Sequence, residues 1–164
     1  MSSNVKEAFS PAGSTTSITC TYGTLTSSGT VGRASTAVDN STNLFLDALV
    51  TATIQYPNSA PANDKAIYMY AYGSIDGSTY PEGITGSDAS YTIQGSAGAL
   101  TTALRPIGTI PAVQNTNVTY GPFAVAPAFG GWLPYKWGLV MLNFSGQTLT
   151  AGTVQFVGVY TTVG

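Results

Sequence analysis

Alternation of apolar and polar positions is the strongest pattern in this chain. In NLFLDALVTATIQY, Leu44, Leu46, Ala48, Val50, Ala52, Ile54 and Tyr56 fall on one face. Phe45, Asp47, Leu49, Thr51, Thr53 and Gln55 fall on the other. Period two over this length, with a β-branched second half and Pro57 behind it, predicts a strand. Its second face is mixed, so something other than bulk water is expected near Phe45 and Leu49. AIYMYAYGSI sets Tyr68, Tyr70 and Tyr72 against Ile67, Met69 and Ala71, apolar on both faces, as an inner strand requires. Further strands are expected at SYTIQG, RPIGTI, TNVTYGPFAV, KWGLVMLNF and TVQFVGVYTT. Gly/Pro/Asn-rich turns separate them. SAGALTTAL could hold a short helical turn, and no long helix is expected.

Many short strands at close spacing predict an all-β fold, an antiparallel β-sandwich or a barrel, as a single domain over residues 14–164. Residues 1–13 carry Lys6, Glu7 and Ser-Pro-Ala-Gly but no sustained period, which predicts an extended N-terminal arm, ordered only against a neighbour. A chain of 164 residues fits one domain with a real core.

Charge changes the picture. Only 7% of residues are charged, against about 25% in an ordinary soluble domain. Weak repulsion between copies suits a permanent assembly. The net charge is −2, and the five basic residues, Lys6, Arg33, Lys65, Arg105 and Lys136, are scattered. Nucleic-acid binding needs a basic stripe, so no nucleic-acid partner is expected. No apolar run is long enough for a membrane span, and no secretory h-region is visible, so no membrane partner is expected. Cys20 is the single cysteine, expected as a small core or half-buried residue. Three Asn-X-Ser/Thr matches, at Asn40, Asn117 and Asn143, are read as coincidence in a Ser/Thr-rich chain.

The chain has no histidine, which removes the commonest general base and His-ligated metal sites. No phosphate-cradling glycine motif is present. No catalytic residue, cofactor or metal is therefore expected. Asp76, Glu82 and Asp88 share the loop around DGSTYPEGITGSD. They read as solvated turn residues, with a cation site or a carboxylate-based hydrolase as remoter readings. Arg33 and Asp39 stand out because charge is so sparse, either as a loop ion pair or as a contact to a neighbouring subunit.

The aromatics form the main constellation: Phe123, Phe129, Trp132, Tyr135 and Trp137. In KWGLVMLNF, Trp137 shares a face with Leu139, Met141 and Asn143, so it is expected in the core. Trp132 lies between Gly130-Gly131 and Pro134, in a loop. It could close the end of the fold, anchor a partner, or stack on a sugar. Arg33, Asp39, Phe129, Trp132 and Tyr135 are the candidate assembly contacts.

Three stretches carry a resemblance: GRASTAVDNSTNLFLDALVTATI, YMYAYGSIDGSTYPEGITGSDA and YGPFAVAPAFGGWLPYKWGLVMLNFSG. They resemble small virion structural proteins of tailed bacteriophages, over most of the chain from about Gly29 onward. The words that carry it are Arg33 with Ser35 to Asn40, Tyr70 to Gly73 with Asp76-Gly77, and Gly121 to Phe123 with Ala128 to Gly131 and Lys136 to Gly138. The resemblance implies an antiparallel β-sandwich or jelly-roll-like fold and a capsid decoration (cement) protein on the virion exterior, partnered by the major capsid protein and by itself as a homotrimer. Members of such phage structural blocks also sit in tails or fibres, so the alternative is a tail- or fibre-borne module that binds host glycans.

Overall fold

In a computed structural model of the protein, residues 4–93 and 104–163 are described. They contain strands β1 (Val5–Ser10), β2 (Thr16–Ile18), β3 (Val31–Ala34), β4 (Val38–Asp39), β5 (Asp47–Gln55), β6 (Ala66–Ser74), β7 (Ala89–Thr92), β8 (Arg105–Pro111), β9 (Asn117–Ala124), β10 (Lys136–Phe144) and β11 (Ala151–Val163). All pairings are antiparallel. The first sheet runs β1-β11-β5-β9, with β2 continuing the β1 edge of β11. The second runs β7-β3-β10-β6-β8, with β4 continuing the β3 edge of β10. The two sheets pack face to face as the all-β sandwich that the alternation predicts.

The core follows from the period. Ala48, Val50, Ala52 and Ile54 of β5 are buried, while Leu49, Thr51 and Thr53 between them are not. They meet Ile67, Met69 and Ala71 of β6 and Trp137, Leu139 and Met141 of β10. Asn143 continues the β10 inner row as a buried polar residue. Its amide donates to the carbonyls of Leu25 and Gln147, and its oxygen accepts from Ser145, so it holds the turn after β10. Its amide is therefore engaged inside the fold. So is that of Asn40, which is 5% exposed and bonds the Phe45 backbone.

The second sheet is buried on its outer face too, which explains why β6 reads as apolar on both sides. Tyr70, Tyr72, Val140 and Leu142 form a second cluster with Ile84, Tyr91, Ile93 and Leu104, and Tyr80 packs against it. The long loop of residues 75–88 is thus a cover, with Tyr80 edge-on to Tyr72 at 5.8 Å between ring centroids.

Two expectations need correction. The strand predicted from Leu44 begins at Asp47, and Leu44 and Leu46 are exposed. Asn40 bonds both the N–H and the C=O of Phe45, and Leu44 takes a positive φ of 51°, so a turn replaces the ladder. Part of the segment expected as an arm is an edge strand: Val5–Ser10 pairs with Gly158–Val163 of the same chain. It has no alternation to read because none of its side chains is buried. Of SAGALTTAL, residues 96–103 lie outside the described residues, as do residues 94–95 of SYTIQG. Among the described residues no helix is long and apolar enough to cross a membrane.

Candidate functional site

Beyond β9 the chain makes one tight turn, Ala126–Phe129, and then runs through Gly130-Gly131 to Pro134 before entering β10. Asp47 starts this loop by accepting the N–H groups of Val125 and Ala126 on Oδ1, at 3.0 and 2.7 Å. Gly130 ends the turn at φ 84°, a left-handed conformation that costs a side-chain-bearing residue about 1–2 kcal/mol. The N–H of Leu133 donates to the carbonyl of Leu46, and the N–H of Asn40 donates to the carbonyl of Tyr135. The aromatic loop is therefore tied along its length to the turn of residues 40–47.

This frame divides the aromatics by role. Trp137 is fully buried and edge-on to Phe156, 5.3 Å between centroids. Phe129 and Leu133 are half-buried against the core and close the end of the sandwich. Phe129 and Pro134 sit close to β6 because it offers Gly73 there. A Cβ on Gly73 would lie 2.5 Å from Pro134 Cγ and 3.0 Å from Phe129 Cε1. Gly73→Ala is expected to lift the loop and cost about 1–3 kcal/mol, read by denaturant unfolding. Trp132 and Tyr135 point outward, 72% and 51% exposed.

Trp132 does not stand alone. Ile75, Phe129, Trp132, Leu133, Pro134 and Tyr135 line one hollow of about 380 Å³. Ile75 is 91% exposed, an isoleucine at the tip of a turn. Its position directly before Asp76-Gly77 was the available signal for it. Leu46 joins through its backbone bond to Leu133. Lys136 and Asp39, 3.9 Å apart, offset one another, and the carboxylate of Asp76, next to Ile75, is engaged by Ser74, Ser78 and Thr79. The end thus presents an exposed apolar patch on a rigid backbone frame, with its charges at the rim.

Arg33 does not pair with Asp39. It lies on β3 opposite Met141, and its Nε is 2.5 Å from Asp88 Oδ1. Asp88 also accepts the backbone N–H and the hydroxyl of Thr21. Together these bonds, led by the guanidinium, hold the Asp88 carboxyl down at about 2. Because the folded value lies below the unfolded one, this stabilisation is present above about pH 4 and disappears as pH falls through about 2. Unfolding free energy should drop by about 1–2 kcal/mol over that window, and Asp88→Asn should flatten the slope. Nearby Cys20 has its thiol raised to about 12, chiefly by burial and then by the Asp88 carboxylate, so it stays protonated at neutral pH.

The three loop carboxylates do not converge on one ligand. Asp76 Oδ1 accepts from Ser74, Ser78 and Thr79, bonds that hold its carboxyl well below the usual range. Glu82 accepts from the Tyr91 hydroxyl, and Asp88 serves Arg33 and Thr21. Among the described residues no group of three Cys, Asp or Glu side chains is placed to hold a metal ion. The chain matches no protein-family model and no curated protein.

Proposed function

We propose that this chain is a non-enzymatic structural protein of a bacteriophage virion, a decoration protein that docks its Trp132 end on the outer capsid shell. Each copy would bridge neighbouring capsid subunits, and many copies would oppose the outward pressure of packaged DNA. The observation that carries the reading is the outward-facing apolar end around Trp132, Tyr135 and Ile75, held by backbone bonds to Leu46 and Asn40. Exposed aromatic side chains on a rigid frame are the residues that dominate binding energy at protein interfaces. The lack of histidine and the separate engagement of the loop carboxylates support a role without chemistry. The sequence resemblance supplies the virion context.

Cryo-electron microscopy of the virion tests this. Density for the sandwich on the head exterior, with Trp132 facing the shell, is the expected result. Density on the tail or fibres alone would move the protein to the glycan-binding reading, in which Trp132 and Tyr135 stack on sugar rings.

A further inference from the structure

The two sheets differ in one respect that the Trp132 end does not use. The outer face of the second sheet lies beneath Tyr80, Ile84 and Leu104. The outer face of the first sheet has no comparable cover among the described residues; only the segment from Pro11 to Thr15 borders it. Phe9 of β1, Leu49, Thr51 and Thr53 of β5, and Gln155, Val157 and Val159 of β11 lie on it, and none of them is buried. In its middle Phe9, Pro11, Leu49, Pro122 and Val157 line a hollow of about 460 Å³. The face carries little charge. Asp47 Oδ1 is occupied by the N–H groups of Val125 and Ala126, and Glu7 stands at the rim on β1.

We propose that this face is covered by the same face of a second copy, in a two-fold sheet-on-sheet dimer. Three arguments select a second copy. First, size suffices. Four strands spaced about 4.8 Å apart and averaging nine residues, at about 3.3 Å per residue, cover an area equivalent to about 19 by 30 Å. That is about 570 Å² per copy and about 1,100 Å² for the pair, above the roughly 1,000 Å² a stable interface needs. Second, charge permits it. Apposing a charged face on itself brings like charges together, whereas the centre of this face, where Leu49, Thr51, Gln155, Val157 and Pro122 lie, holds no charged side chain. Third, sheets pack well when their twists match, and a second copy presents the identical twist. The pairing is two-fold, in place of the three-fold association that the resemblance implies, and it leaves Trp132 free.

Size-exclusion chromatography with light scattering on the full chain at micromolar concentration is the test. Wild type should run at twice the 16.8 kDa chain mass. Leu49→Glu should weaken the dimer at least about 30-fold. Thr51→Lys, a polar position that does not threaten folding, should weaken it as well, and far-UV circular dichroism should remain unchanged. Trp132→Ala should leave the dimer intact, so a failure here and a failure of shell docking are read on different variants. A wild-type mass of one chain overturns the proposal. So does an oligomer that survives both sheet variants, or one that Trp132→Ala dissociates.

Discussion

Trp137→Ala is expected to cost about 3–5 kcal/mol of folding stability, read as a lowered denaturant midpoint with little change in slope. That loss is a large share of the roughly 5–15 kcal/mol that holds a domain together. The indole is fully buried, packs edge-on against Phe156, and sits on the inner row of β10 with Leu139 and Met141. It also lies opposite Gly73, the residue that seats Pro134 and Phe129, so removing it undermines the closure of that end. Its Nε1 has no hydrogen-bond partner among the described residues, so the ring contributes through packing and against a desolvation cost. Trp137→Phe, which keeps an aromatic and discards the donor, should therefore lose markedly less than Trp137→Ala. Fluorescence gives an independent check. In Trp137→Ala the remaining emission comes from exposed Trp132 and should be red-shifted and readily quenched. A loss under about 1 kcal/mol in Trp137→Ala would contradict the core placement.

The alternation that placed Trp137 in the core is reliable where a strand has one side against the other sheet. The body of β5 was legible for that reason, whereas β6 and β10, buried on both faces, were legible as apolar runs bounded by turns. The same signal overran at Leu44 and Leu46, because the residues that end the ladder act through side-chain bonds to backbone. Asn40 captures Phe45, and Asp47 captures Val125 and Ala126, some 78 positions along the chain. A period says nothing about such bonds. β2, β3 and β4 span two to four residues, too few to show a period. The ion pairs were hidden for a related reason. Arg33 has Asp39 near in sequence, yet the pairing of β3 with β7 brings it Asp88, 55 residues away. At the candidate site, Trp132 and Tyr135 were legible as loop aromatics. Ile75 was not legible as their companion, because only the pairing of β6 with β10 puts the two loops side by side.

Trp132→Ala is expected to leave stability within about 0.5 kcal/mol of wild type and to weaken shell binding at least about 30-fold. The two halves of this result have one cause. A side chain 72% exposed in the free protein loses little when it is cut back. The same side chain, placed against a partner, brings a large apolar area with few rotatable bonds to freeze. Its backbone is already fixed by the turn at Gly130 and by the bond from Leu133 to Leu46, so docking need not order the loop. Trp132→Phe should retain part of the affinity, and Tyr135→Ala should lose less than Trp132→Ala, since Tyr135 is the more sheltered ring. Sedimentation of the protein with undecorated capsid shells measures this without any glycan present. Loss of binding there separates a protein contact from sugar stacking, which Trp132→Ala would also abolish, but only on an array of glycans. Wild-type binding by Trp132→Ala to bare shells would place the docking surface elsewhere on the molecule.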